Sequence, residues 1–252
     1  MSSTIDPKKF NNFTFSRRTH WNLFSESDKE LYGKKIALDE CDLKVYQDLL
    51  VHKFIKDNIA VGSRILDVGG GNSRILKYYA KICDCWNIDK MEGLGNGPKQ
   101  VKKLPYKLVL DYMGNFNQDL PDNAFDFVFS ISALEHTPNN VELFDNIMMD
   151  IDRVLKPGGY SLHLFDVVFA ENGGMWTNEF THKFFPTVDT LNYFVPPESV
   201  KDDPDLYYMS EAAYNRTWML ITKRPYAEFG RPASLNILWR KSLQTGLEKK
   251  RH

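Results

Sequence analysis

Cysteine is scarce in this chain. Its 252 residues hold three, Cys41, Cys83 and Cys85, an odd number with no metal-ligand spacing. No cysteine-based metal site can be read from them. Cys83 and Cys85 alternate along a short apolar run and read as buried free thiols, which suits a reducing, cytoplasmic setting. An excess of one charge is lacking as well. The 32 Lys and Arg nearly balance 33 Asp and Glu, for a formal net charge of -1, so there is no bulk pull toward nucleic acid or an anionic membrane. No apolar run approaches the roughly 18 residues a membrane-spanning helix needs, and the polar N-terminus has no signal-peptide core. Internal repeats, linkers and low-complexity stretches are not seen. What remains, 42% hydrophobic and 26% charged, is the ordinary make-up of a globular domain with one substantial core.

The most informative segment runs Arg64-Ile65-Leu66-Asp67-Val68-Gly69-Gly70-Gly71-Asn72-Ser73-Arg74, with Asn87-Ile88-Asp89 closing a second apolar run. A strand feeding a glycine-rich turn and a helix, with an acid about 20 residues on, is a recipe for holding a nucleotide-like cofactor. Glycine at 69 to 71 lets the backbone take positive φ and approach a ligand without a Cβ in the way. A helix from Ser73 to Lys81 is expected to turn its free N–H groups toward that ligand and hold a negative group. A dinucleotide fingerprint asks for a small third residue, and Arg74 stands there. On this segment alone a nicotinamide cofactor and S-adenosylmethionine stay equally open, beside a glycine-rich surface turn with no ligand.

Further along, a helix is expected over Asp39–Asn58, with Leu43, Tyr46, Leu50 and Phe54 at helical spacing and Asp39 as its cap. Strands are expected at Arg64–Val68, Cys83–Ile88, Tyr106–Leu110, Phe125–Ser130 and Tyr160–Phe165. A helix from Asn139/Asn140 to Leu155 is stopped by Pro157-Gly158-Gly159, and Ser210–Thr217 reads as helical. Strands alternating with helices imply right-handed crossovers and a parallel sheet. Residues 1–34 carry scattered aromatics and are expected to wrap onto the domain, and Ala170–Val200 is an insertion rich in aromatics and breakers.

Five segments in order then resemble one family, the class I S-adenosylmethionine-dependent methyltransferases, of the type 11 kind. Ile65–Gly71 resembles its first motif and Asn87-Ile88-Asp89 its acidic second. Leu108–Tyr112 and Leu120–Ser130 are similar to its third and fourth segments, and Leu155–Tyr160 to the turn before its fifth strand. The resemblance covers residues 60 to 166 and disfavours a nicotinamide-dependent oxidoreductase. It implies a doubly wound, mostly parallel α/β sheet of seven strands, with Arg224–Phe229 and Ser234–Trp239 as an antiparallel edge hairpin. The whole is expected to be a single domain over 1–252, with an N-terminal cap over 1–60 and a substrate-facing insertion at about 170–217.

Ligands of such sheets bind beyond the carboxyl ends of the strands. The resemblance implies a cofactor site made of Asp67, Gly69, Gly70, Gly71, Asn72, Asp89, Asp111, Tyr112 and Ser130. The glycine backbone would face the methionine part, with Asp67 ordering the turn. Asp89 would take the ribose hydroxyls and Asp111 the adenine amino group, with Tyr112 or Met113 on the ring. For Asp67, Asp89 and Asp111 the competing reading is a carboxylate that only stabilises its own turn. A hydroxyl acceptor needs a base, and the candidates are His136, Glu135 and His182, with Asp166 behind them; His163, within a strand, reads as a packed core residue. His136 follows the fourth strand directly, though a helix-capping histidine fits equally.

Some relatives of this family carry Glu-x-x-Glu-His here and bind a divalent ion; Ser132 holds the first position in this chain, so no metal is expected. Glu135 is expected to sit instead against a helix N-terminus. The base-methylating signature is missing after Ser130, so the expected partner is a small-molecule acceptor, not nucleic acid or a membrane. Trp176, Phe180, His182, Lys183, Phe184, Phe185, Tyr193 and Phe194 are its candidate recognition residues, and a local aromatic core is the plainer reading. Lys183, Lys201 and Arg216 would suit an anionic acceptor, such as a sugar nucleotide or phosphorylated surface-polysaccharide precursor methylated on oxygen. A faint similarity to enzymes that tailor bacterial surface glycans and secondary metabolites points the same way. A catalytically silent, cofactor-binding partner protein is the alternative; oligomeric state is not legible.

Overall fold

The structure is a computed structural model that describes residues 15–33, 36–93, 97–138, 140–183, 193–194, 200 and 202–243. Apolar runs bounded by breakers become strands β1 (Arg64–Val68), β2 (Asp84–Ile88), β3 (Lys107–Val109), β4 (Phe125–Ile131) and β5 (Leu155–Phe169). All four contacts within the order β3-β2-β1-β4-β5 are parallel. Phe127, Val128 and Phe129 are fully buried, as a strand covered on both faces must be. β1 leads to β2 on one side and has β4 on its other, so the chain direction reverses there and a crevice opens beyond the strand ends.

The antiparallel edge is built differently from expectation. Tyr226–Phe229 is helical and not the first arm of a hairpin. Pro225 starts that turn and Gly230, at φ 102°, ends it. Only β8 (Arg231–Arg240) joins from this region, antiparallel to β5 from Tyr160↔Arg240 to Phe169↔Arg231. Two short strands, β6 (Met175–Trp176) and β7 (Tyr193–Phe194), extend the sheet on β5, making eight among the described residues. β5 is also longer than expected. It starts at Leu155, and Pro157-Gly158-Gly159 lies inside it as an irregular register between Phe125 and Phe127 of β4.

The helices are α1 (Glu26–Gly33), α2 (Leu43–Asn58), α3 (Arg74–Tyr79), α4 (Val141–Val154), α5 (Glu179–His182), α6 (Glu211–Arg216), α7 (Trp218–Thr222) and α8 (Tyr226–Phe229). α2 starts later than expected: Asp42 caps it by accepting from Lys44 N, while Asp39 sits in a preceding 3₁₀ turn, Leu38–Glu40. α2 is buried on nearly every side, from Leu43 to Ile55, which requires cover on its outer face as well as the sheet beneath. Phe54 stacks on Phe127 at 5.1 Å. The outer cover comes from both ends of the chain, as Trp21 and Tyr207 stack against Tyr46 at 5.9 and 4.1 Å. Isolated bridges, Phe15↔Leu235 and Arg17↔Leu206, tie the described N-terminal residues to the far end of the chain. Cys41 and Cys85 are buried thiols; Cys83 is half-buried, just ahead of β2.

α1 is fastened to α2 by a buried polar cluster. Asp28 accepts from Lys56 at 2.9 Å and lies 3.1 Å from His52 Nε2; the other His52 nitrogen lies 3.0 Å from the Tyr79 hydroxyl on α3. Burial works to raise the Asp28 pKa, but the hydrogen bonds from Lys56, Ser25 and His52 outweigh it and hold the carboxyl well below the usual range. Asp28→Asn is expected to cost about 1–3 kcal/mol near neutral pH, the range for a buried partner left short of a hydrogen bond. Because the folded pKa is depressed, the parent's advantage is present above the unfolded pKa of about 4 and fades as pH falls below it. Urea denaturation of parent and variant at pH 7 and pH 2 checks both.

Candidate active site

β1 ends in a tight glycine turn. Gly69 and Gly71 take φ of 69° and 52°, and a Cβ on Gly70 would come within 2.4 Å of the Asp67 carboxyl group. The turn is held from β2: Gly70 N donates to Asn87 Oδ1 at 3.1 Å and Gly71 N to Asp89 Oδ2 at 2.8 Å, while Asn87 Nδ2 donates to Gly71 O at 3.0 Å. Gly69 N donates to Ile88 O. The glycine N–H groups are therefore already spent, and the turn offers a ligand closeness of approach instead. α3 is also shorter than expected, and the Ser73 hydroxyl accepts from Leu76 N at its start. Three carboxylates, Asp67, Asp89 and Asp48, line this end of the crevice beside Lys44 and Arg74.

The crevice holds a cavity of about 530 Å³, within the roughly 300–1,000 Å³ usual for small-molecule sites. The ends of β1, β2 and β3 each present an acid to it: Asp67, Asp89 and Asp111. Asp89 also accepts from Met91 N at 2.7 Å. Asp111 is held by Asn117, Asn115 and Tyr112 N, and these bonds keep its carboxyl below the usual range. Tyr112 is exposed, its hydroxyl donating to Glu92 at 2.6 Å, while Met113 is buried, and both line the cavity. Gly69, Gly70, Gly71 and Asn72 line it too, as expected.

Asp67 is the most perturbed of the three acids. It is buried, and burial pushes its pKa up to about 7 against the opposing Ser73 hydrogen bond. Its Oδ1 has no hydrogen-bond partner, so near neutral pH this carboxyl is poised to receive a cation or donor.

Four sequence candidates fall elsewhere. Ser130 is fully buried, 2.8 Å from His163 Nδ1, and does not line the cavity. β4 runs to Ile131, so Ser130 lies within the strand, buried against His163 of β5. Glu135 does not face a helix N-terminus, because Asn140 caps α4. It is buried in the 3₁₀ turn Leu134–His136 and accepts from Asp166 N at 3.2 Å. Burial and the neighbouring Asp166 raise its pKa well above the usual value. His182, on α5, does not line the cavity, and α5 packs against that turn, with Asn178 donating to Glu135 O. Asp166 lies behind the cavity wall, where Ser132 and Gln47 donate to it.

His136 does line the cavity. Burial of its ring lowers its pKa, with Asp166 opposing. His163, sealed between Ser130 and Ser161, is a core residue with its pKa lowered to about 3 by burial.

Of the recognition candidates, Phe180 is buried against Phe144 and Phe165, Trp176 is exposed on β6, and Lys183 lies 5.8 Å over the Phe144 ring. This is a local aromatic core. Arg216 is turned to Glu40 O. Neither Lys183 nor Arg216 lines the cavity. Phe184, Phe185 and Lys201 lie outside the described residues, as do the side chains of Tyr193 and Phe194. The cavity's own cations, Lys44, Arg74 and Lys90, were not anticipated in that role, nor were Asp48 and Glu92. Lys44 Nζ donates to Ile131 O at 2.6 Å, and Arg74 pairs with buried Asp48. No local motif marks these residues, since α2 and the β1–α3 turn meet only in the fold. Among the described residues no group of three or more potential ligands could hold a metal ion.

Residues 66–163 match the model of the methyltransferase domain family. Sterol 24-C-methyltransferase of Eremothecium gossypii is 33% identical over 123 residues, covering 45% of this chain and 31% of that protein. The 2-methyl-6-phytyl-1,4-hydroquinone methyltransferase of Synechocystis is 34% identical over 113 residues, 41% of this chain and 32% of that protein. The match thus spans about a third of the curated relatives' length. A solved Haemonchus contortus phosphoethanolamine N-methyltransferase in complex with S-adenosylhomocysteine covers 89% of this chain and 59% of its own, at 16% identity and a TM-score of 0.48.

The raised Asp67 pKa has a measurable consequence. The folded state favours protonated Asp67 up to about pH 7, whereas the unfolded carboxyl ionises near 4. The stability this contributes is complete below pH about 4 and is lost as pH rises through about 7. Asp67→Asn is therefore expected to gain on the parent by roughly 2–4 kcal/mol between pH 4 and 7 and then level off, as read by denaturant titration across that interval.

Proposed function

We propose that this chain, whose central segment is a methyltransferase domain, transfers a methyl group from S-adenosylmethionine to a hydroxyl of a small molecule. The observation that carries the reading is the row of acids at the ends of β1, β2 and β3 around one cavity, with the glycine turn against it. The partnerless Asp67 Oδ1 suits the cofactor's ammonium group. Asp89 suits the ribose diol, because a carboxylate keeps lone pairs beyond those used by Gly71 and Met91. Asp111 and Met113 would flank the adenine, with Leu143 and Ile147 of α4 on the same cavity. Asp89→Ala is expected to weaken S-adenosylhomocysteine binding by roughly 1.5–3 kcal/mol, measured by calorimetry in the folded variant. Unchanged affinity would move the ribose elsewhere.

The cofactor supplies a methyl group on a cationic sulfur, and the chain's task is to align a nucleophile with it and exclude water. Ser132, Ala133, Leu134, His136, Thr137 and Pro138 bound the cavity beyond β4 and form the acceptor side in this reading. In this reading the chain is a single methyltransferase domain with an N-terminal cap over about 1–60. Among these residues His136 is the one able to take the acceptor's proton. The described cations proposed for an anionic acceptor, Lys183 and Arg216, lie off the cavity. Among the described residues no helix is long and apolar enough to cross a membrane. The relatives named above act on sterol carbon and on a hydroquinone, so lipophilic alcohols and phenols belong in the screen.

The test is transfer of labelled methyl to a panel of phenols, sterols and sugar nucleotides. With an acceptor in hand, His136→Ala is expected to lower turnover about 10²–10⁴-fold while cofactor affinity holds. The parent's rate should fall as pH drops through a midpoint below the usual histidine value of about 6.5, because burial lowers the His136 pKa and only the neutral ring accepts a proton. A variant that keeps its rate would show that the acceptor needs no base. S-adenosylhomocysteine binding without transfer to any acceptor would favour the silent cofactor-binding protein instead.

A further inference from the structure

We propose that Ser132 is the group that receives the proton-bearing atom of the methyl acceptor, fixed in that role from behind by Gln47 and Asp166. The proposal rests on the methyl-transfer reading above.

Ser132 borders the cavity directly after β4. It holds φ of 46°, a left-handed conformation in a residue other than glycine, and such strained conformations cluster at functional sites. Ser132 N donates to Leu164 O at 3.0 Å and holds the backbone there. Its hydroxyl lies 2.7 Å from Gln47 Oε1 and 2.8 Å from Asp166 Oδ1. Both partners lie behind the cavity wall.

The direction of each hydrogen bond follows from its neighbour. Ser234 Oγ donates to Asn236 Oδ1 at 2.7 Å, which leaves it to accept from Gln47 Nε2 at 3.1 Å. That orients the Gln47 amide with its oxygen toward Ser132, and an amide oxygen only accepts. The same Nε2 donates to Asp166 Oδ1 at 2.9 Å. The single Ser132 proton therefore points inward, whether Asp166 is ionised or protonated. What remains toward the cavity is one lone pair. A hydroxyl so fixed binds O–H and N–H groups and rejects ethers and bare acceptors, because two facing lone-pair groups leave each other unpaired.

An acceptor is not needed to test this. Sinefungin carries an amine on carbon where S-adenosylmethionine carries its methyl on sulfur, so it presents N–H donors at the transfer point; S-adenosylhomocysteine presents none there, and both share the same ammonium and carboxylate. Calorimetry should show sinefungin bound about tenfold or more tightly than S-adenosylhomocysteine. Ser132→Ala should remove that preference while holding S-adenosylhomocysteine affinity within about twofold. Ser132→Gly removes the hydroxyl with a residue suited to φ 46°, so its result is free of backbone strain. A preference absent from the parent, or one that survives in both variants, overturns the proposal. Equal weakening of both ligands also overturns it, by assigning Ser132 to the cofactor's ammonium. Failure of the parent to bind either ligand overturns the methyl-transfer reading itself.

Discussion

The site depends on one crowded contact, the meeting of the β1 turn with the side chains that end β2. Gly70 has no room for a Cβ beside Asp67, and the Gly70 and Gly71 N–H groups are taken by Asn87 and Asp89. A buried turn must satisfy its own polar groups, and here the neighbouring strand does so with two consecutive-facing polar residues. The arrangement fixes where Asp67 and Asp89 stand relative to each other before any ligand arrives. It also explains why the glycines serve by absence of side chain and not by donating to a bound anion.

A second polar system carries the opposite wall. Gln47 of α2, Asp166 of β5, Ser234 and Asn236 of β8, and Ser16 of the N-terminal stretch form one chain of hydrogen bonds. It ends at Ser132 on the cavity. Buried networks of this kind are stabilising only when every member is satisfied, so the cap, the sheet and the acceptor side are mutually dependent. The near-complete burial of α2 has the same root: it is covered by aromatic residues from both ends of the chain and sends Lys44 into the crevice.

Much of this was legible in residue order. The five parallel strands follow from apolar runs between breakers, and Ser73, Asn140 and Ser210 cap helices where short polar residues precede helical spacing. Asp67, Asp89, Asp111 and Tyr112 were found because each directly follows or ends a recognisable strand. The misplacements have local causes. Ser130 lies inside β4, which runs to Ile131, and is buried against His163 instead of bordering the cavity. Asp39 yielded its cap to Asp42 because the chain inserts a 3₁₀ turn first. The expected hairpin arm became a helical turn between Pro225 and Gly230.

The sequence by itself determined the strand–turn–acid succession that makes a ligand crevice, because adjacency along one strand and its turn is preserved in any fold of the chain. Tertiary structure alone decided which side chains share that crevice with the acids. Lys44, Asp48, Arg74 and Glu92 arrive from separate elements, and Glu135, His182 and Asp166 are turned away from the cavity by the packing of α5 and β5. Burial then set their charge states, raising Asp67 and Glu135 and lowering His136. Desolvation acts through every neighbouring atom in space, and no spacing along the chain encodes it.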